Sequence, residues 1–346
     1  MELLKELCEA SGIPGFEGRI RDIVRRELEP VVDEITVDAM GNMICVKQKS
    51  GARKVMIAAH MDEIGFMVNH VGDKGWIRLI PLGGHDPRNM VAQHVRVCTE
   101  DGDLVGVMYP SLKPPHIQKE SDRNKKPEVS DFVVDLGLPA ETVKAKVKIG
   151  TPVTMKQDFL ELGDCVSCKS MDNRVSVYIM IRAMQAATKF GFETYAVATS
   201  QEEIGLRGAT TSATGIAPDV GIALDTTLAT DIPGISEHEC VTKLGEGVAI
   251  KILDSSAIQH PKLVKFLQEL ADQREIKWQP EILPRGGTDS AAIQKSGPGV
   301  PVATISVPTR YIHTTIETSH RQDLEGAVDL LAAFLEEGDS ANLNLV

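Results

Sequence analysis

The sequence predicts an α/β protein whose sheet is interrupted by an inserted β-rich, barrel-like unit. Two observations carry this prediction. Short, continuously apolar runs, the mark of strands buried on both faces, alternate with amphipathic helical segments over residues 1–64 and again over 163–346. Between them, residues 65–162 change texture to short strand-like runs punctuated by Gly, Pro and Asp turns. The α/β unit is therefore read as discontinuous, in two pieces flanking the insert.

Residues 1–29 read as helix, broken by the loop "SGIPGFEG" (11–18) and resumed from Arg19 to Glu29. "DEITVDAMGNMICVKQKSG" (33–51) alternates as a hairpin with Gly41-Asn42 at its turn. "KVMIAAH" (54–60) is the first fully buried strand. Within the insert, "GWIRLIPL" (75–82), "HVRVCTEDGDLVGVMY" (94–109) and "VKAKVKIGTPVTM" (143–155) read as strands, and the polar stretch "KESDRNKKPEVSD" (119–131) as an exposed loop. After Gly163, residues 173–191 have helical periodicity. "TYAVATS" (194–200), "DVGIALD" (219–225) and "VPVATISV" (300–307) read as strands, "HPKLVKFLQELADQREI" (260–276) and "QDLEGAVDLLAAFLEEG" (322–338) as helices.

Composition narrows the function classes. The net charge of −12 lacks the basic face that non-specific nucleic-acid binding needs. There is no apolar run of the ~18 residues that a membrane span needs, and the acidic, amphipathic start is unlike a signal peptide. Six cysteines scattered over 346 residues suggest reduced thiols, and a cytoplasmic protein is expected. Cys165 and Cys168 form the only close pair; without a second such pair it is read as inert rather than as a zinc site.

The strand ends concentrate chemistry. In open α/β sheets ligands bind beyond the carboxyl ends of the strands. Here one strand ends at His60, followed by Asp62 and Glu63; another ends at Gln201-Glu202-Glu203; a third ends at Asp225; and a fourth leads to His313. Asp172 stands at the head of the 173–191 helix. Each has a bland alternative: Asp172 and Asp225 could cap helices, and a His after a strand is often only a satisfied polar group. Together, two histidines and three carboxylates at one sheet edge repel unless cations sit between them, and such a set suits a pair of divalent ions ~3.5–4 Å apart.

"AAHMDEIG" (58–65), "SMDNRVS" (170–176), "TSQEEIGLRGA" (199–209), "IALD" (222–225) and "PTRYIHT" (308–314) together resemble the dinuclear-metal aminopeptidases that include the tetrahedral and glutamyl aminopeptidases, some also labelled deblocking aminopeptidases or cellulase-like peptidases. "SGIPGFEG" and "RGGTDSAAI" (285–293) extend the resemblance over the whole chain. It implies a mixed-sheet α/β/α metallopeptidase domain. His60 and Asp225 would hold one ion, zinc or cobalt, Glu203 and His313 the other, and Asp172 would bridge both. Asp62 would orient the His60 imidazole. Glu202 would be the catalytic carboxylate, taking a proton from the attacking water and passing it to the leaving amine. Asp172-Asn173-Arg174 stands where relatives often have Asp-Asp-Arg, and Thr314-Thr315 where they commonly have Ser-Pro; neither change removes a ligand. The resemblance further implies peptide substrates and a homododecamer assembled through the insert.

The Gly-rich stretch of Gly286, Gly287, Thr288 and Asp289 is read as a loop lining the substrate pocket. His85 and His116 are read as loop residues, and Asp254 and Glu237 as solvated. Two rival functions remain open. One is a di-zinc amidohydrolase acting on N-acyl amino acids or another non-peptide substrate, polysaccharides included. The other is a non-enzymatic protein with a structural metal, against which stands Glu202, a carboxylate beside the ions with no structural use.

Overall fold

A computed structural model describes residues 1–118, 120 and 126–345. Helices α1 (Glu2–Glu9) and α2 (Gly18–Leu28) precede strands β1 (Glu34–Val37), β2 (Met43–Lys47) and β3 (Lys54–His60). The chain then builds β4 (Gly65–Val71), β5 (Ile77–Leu82), β6 (Gln93–Thr99), β7 (Gly102–Pro110), β8 (Phe132–Asp135), α3 (Ala140–Lys146) and β9 (Pro152–Met155). It returns through β10 (Leu160–Leu162), β11 (Cys165–Cys168), α4 (Met171–Ala186), β12 (Glu193–Thr199), α5 (Arg207–Ile216) and β13 (Val220–Leu228). The last elements are β14 (Val248–Leu253), α6 (Pro261–Gln273), β15 (Trp278–Ile282), α7 (Ser290–Gln294), β16 (Val302–Arg310), β17 (Glu317–His320) and α8 (Arg321–Glu337).

Eleven strands form one mixed sheet, in the order β1-β2-β12-β3-β13-β16-β17-β11-β10, with β14 on β16 and β15 on β14. At its centre β12, β3, β13 and β16 run parallel. The period-2 alternation of β3 explains the layering. Val55, Ile57 and Ala59 enter a core shared with α1, α2, α4, α6 and α8, whereas Met56 and Ala58 enter a second core with residues of α5 and α7. Helices thus cover both faces of the sheet, which is why its central strands are apolar throughout.

Strands β4-β5-β8-β7-β6-β9 close into a separate barrel. Phe66, Val68, Ile77, Val95, Val97, Met108, Phe132, Val134 and Val153 fill its interior. On the outward face of β7, Val105, Val107 and Tyr109 remain exposed at alternate positions.

Four local expectations meet a different outcome. "VKAKVKIGTPVTM" is not one strand: residues 143–146 belong to α3, which Pro139 caps, with Glu141 in its first turn and Lys144 and Lys146 in its last. Those terminal signals match the helix dipole, and the Val-Lys alternation that mimics a strand buries only Val143 within the helix. The strand carrying Asp225 does not stop there, because Thr226, Thr227 and Leu228 continue the parallel ladder against Val307, Pro308 and Thr309. The expected polar loop 119–131 falls partly outside the described residues, and its described end, Val129–Asp131, is a 3-10 turn leading into β8. The helix expected to reach Gly191 ends at Ala186.

Candidate metal centre

Register brings the candidates to one level. His60 pairs with Thr199 across the parallel β3–β12 ladder, so Glu202 and Glu203 follow three and four residues beyond it. Ala58 pairs with Ala223, and extending that register by two residues sets His60 beside Asp225. Asp172 arrives from β11 at the non-helical start of α4, and His313 sits in the turn after β16 with φ 63°.

The side chains converge. His60 Nε2 lies 3.3 Å from Asp172 Oδ1, 3.8 Å from Glu202 Oε2 and 3.8 Å from Asp225 Oδ1. His313 Nε2 lies 3.5 Å from Asp172 Oδ2 and 3.4 Å from Glu203 Oε1. Asp172 therefore stands between the two imidazoles. Two groups have ligand atoms all within 4.8 Å of one another: His60, Glu202 and Asp225, and His60, Asp172 and Glu203. His60 and the four acids are largely withdrawn from water, whereas the His313 side chain is 35% exposed.

Charge is concentrated here with little solvent to screen it. Burial pushes the carboxyls of Glu202 and Asp225 well above the usual carboxylate range. His60 pulls both down, while Asp225 and Glu203 press on Glu202, and Asp172 on Asp225. Burial alone would lower the His60 imidazole, yet Glu202, Asp172 and Asp62 hold it well above its ordinary value. Burial would likewise lower His313, but Asp172 and Glu203 lift it to about 11. Acids this close and this dry require positive partners. Asp172 Oδ1 is buried without a hydrogen-bond partner. Imidazole nitrogens, clustered carboxylate oxygens and that orphaned oxygen fit divalent cations.

The Asp62 carboxylate reaches beyond the imidazole it is expected to orient. His60 Nδ1 faces the Asp62 backbone carbonyl at 3.0 Å, which leaves Nε2 turned toward the acids, and the Asp62 Oδ1 is 3.6 Å away from Nδ1. The two carboxylate oxygens also accept the backbone N–H groups of Glu202 and Glu203, each at 3.0 Å. This splays the neighbouring glutamates: Glu202 faces His60 and Glu203 faces His313.

Gly286, Gly287 and Thr288 line, with the candidate ligands, an open cavity of about 530 Å3. Asp289 does not line it. It is buried behind the wall, where its Oδ2 accepts from Thr199 Oγ1 at 2.5 Å, and burial, opposed by His60 and that bond, pushes it up to about 6.

Several supporting residues were given no role in the sequence reading. Glu63 bonds the backbone N–H of Gly12, the ammonium of Lys169 and the hydroxyl of Ser170. Arg174, fully buried, donates to the carbonyls of Met61, Leu7, Ala10 and Gly12. Glu317 accepts the backbone N–H groups of Asp172 and His313. Glu63 is paired with Lys169 and Arg174, whereas Glu317, whose carboxyl burial pushes well above the usual range, is met only by backbone N–H groups. The signal was a charged residue beside a predicted ligand in an apolar setting, as in Asp62-Glu63 and Asp172-Asn173-Arg174.

The barrel also reaches the site. A Cβ on Gly83 would stand 3.3 Å from Glu203 Oε2, and one on Gly84 3.1 Å from His313 Nδ1. His85, read from sequence as a plain loop residue, is packed on Phe66 and shares a small cavity with Asp172, Glu203 and His313. Burial lowers its imidazole to about 4, against the pull of the Gly65 and Leu82 carbonyls. His116 is exposed. Asp254 is buried, not solvated: it accepts from the backbone of Ser256 and Ala257 and lies 3.6 Å from Lys251.

With this geometry in view, comparison with known proteins is decisive. The M42 glutamyl aminopeptidase family matches over residues 41–330. This chain belongs to that family. Lysyl aminopeptidase of Pyrococcus furiosus is 37% identical over 342 residues, covering 97% of this chain and 96% of its own. The structure of an aminopeptidase from the archaeon Desulfurococcus kamchatkensis superposes with a TM-score of 0.92 at 39% identity, covering 97% of this chain and 94% of the other. The TET1 peptidase of Pyrococcus horikoshii, which can assemble into a tetrahedron or a large octahedral shell, gives a TM-score of 0.87 at 33% identity over 97% and 99% of the two chains. The M42 member described here is accordingly a metal-dependent aminopeptidase, a hydrolase acting on peptides, and the N-acyl amino acid reading is not favoured. No helix among the described residues is long and apolar enough to cross a membrane.

Proposed function

We propose that this M42 enzyme uses two cations, zinc or cobalt. His60 and Asp225 hold one, Glu203 and His313 the other, and Asp172 lies between them. The observation that carries this reading is the Asp62 carboxylate, which holds the Glu202 and Glu203 backbones so that the two side chains serve opposite halves of the site. When bound, the cations would polarise the scissile carbonyl and make water a better nucleophile at neutral pH.

The remaining work falls to the chain. Glu202, pushed up chiefly by burial and then, against the pull of His60, by Asp225 and Glu203, takes the water's proton on its carboxylate and delivers it to the departing amine. A free α-amine would lie beside the ion-holding residues, so peptides are expected to enter the cavity by their free N-terminus. Gly286, Gly287 and Thr288 would form the wall past which the substrate lies. A substrate panel tests this. Aminoacyl-p-nitroanilides should be hydrolysed, whereas N-acyl amino acids and cellulose derivatives should not. Turnover of an N-acyl amino acid with an inert anilide would contradict the assignment.

We assign residues 1–64 and 163–346 to the catalytic domain and 65–162 to an inserted domain that drives self-association, with a homododecamer as the expected particle. The assembly of the Pyrococcus horikoshii relative and the exposed Val105, Val107 and Tyr109 on the barrel support this. Light scattering should give a mass many times that of one chain, and disrupting the insert should reduce it. A single-chain mass for the intact protein would contradict the reading. All six cysteines are free thiols, Cys165 and Cys168 included; a cytoplasmic location is part of the proposal.

A further inference from the structure

Glu317 is 2% exposed at the start of β17, and both of its carboxylate oxygens are engaged. Oε2 accepts the backbone N–H of Asp172 at 2.9 Å, and Oε1 accepts that of His313 at 2.6 Å. These donors come from distant parts of the chain, one entering α4 from β11 and the other turning away from β16. Neither sits in regular structure: Asp172 has non-helical angles within α4, and His313 holds a positive φ of 63°. Backbone outside a ladder keeps its direction through such bonds.

We propose that Glu317 is a positioning residue for the cation between Glu203 and His313, fixing the separation and aim of Asp172 and His313. The inference rests on the two-cation reading above. Glu317 belongs to neither group of convergent ligand atoms, and each of its oxygens meets a backbone N–H. It mirrors Asp62, which holds Glu202 and Glu203 in the same way from the other side. Together the two acids fix the backbones of four candidate residues that strand pairing alone leaves loose. A carboxylate is required at position 317, because two N–H donors need two acceptors. Glutamine supplies one and turns an NH2 group against the other donor.

The test is cobalt uptake by the metal-stripped full chain, followed by the visible absorption of bound cobalt and by elemental analysis. Wild type should take up two ions per chain. E317Q should bind the ion at His60 and Asp225 nearly as wild type, and the second about 10–100-fold more weakly, with an altered absorption band. Wild-type affinity for both ions in E317Q overturns the proposal. Should E317Q fail to fold, E317D decides. Its arm is one methylene shorter and can hold only one N–H, so the second ion should again weaken, and unchanged uptake would overturn the proposal. Fewer than two ions on the wild-type chain would instead overturn the two-cation reading, a failure visible without any substitution.

Discussion

Glu202→Gln is expected to keep its metal and lose its turnover. The amide preserves size and hydrogen-bonding shape, so the His60, Asp172 and Asp225 constellation around it should hold. It cannot accept a proton from water, and loss of a general base typically costs ~10²–10⁴ in rate. Glu203→Gln should fail differently. Its Oε1 lies 3.4 Å from His313 Nε2, and removing that charge should release one ion together with activity. Metal content and kcat on one peptide distinguish the two. Wild-type turnover in Glu202→Gln, or loss of metal from that variant alone, would reverse the assigned roles.

The second large effect is on stability. Arg174 is 0% exposed, and its guanidinium donates to four backbone carbonyls, at Met61, Leu7, Ala10 and Gly12, besides lying 3.4 Å from Glu63. Arg174→Met fills much of the space but leaves those acceptors, and half of a buried ion pair, without a donor. Breaking a buried charge network on one side costs about 3–5 kcal/mol. Denaturant unfolding of the metal-stripped chain should register a loss of that size. Because Met61 lies between His60 and Asp62, turnover should fall as well. A change under about 1 kcal/mol would mean that water or rearranged carbonyls replace the guanidinium, since surface-like sites show effects of that order.

The central strands were legible because burial on both faces leaves an unbroken apolar signature. "KVMIAAH" became β3 and "TYAVATS" became β12, with boundaries shifted by a residue at most. Strand ends were legible for a related reason: charge at the close of such a run is costly unless used. β13 escaped its predicted end because Thr226 and Thr227 are β-branched and pair as well as the apolar residues before them. α3 was hidden by an alternation of Val and Lys that suits either period, and the deciding signals lay at its termini.

At the site, ionisable groups at strand ends could be read from the sequence, Asp62 among them as a support for His60, but its hold on the Glu202 and Glu203 backbones and the role of Glu317 could not. Asp62 and Glu317 act on backbone N–H groups, which every residue carries and no motif records. The approach of Gly83 and Gly84 was equally hidden, since it depends on how the barrel lies against the sheet edge.

The most direct test of the account pairs a peptide bearing a free N-terminus with its N-acetylated twin, assayed before and after chelation. The free peptide should be hydrolysed and its twin spared. Stripping the metal should abolish the activity, and zinc or cobalt should restore it as uptake approaches two ions per chain. Full hydrolysis by the metal-stripped enzyme would contradict the account.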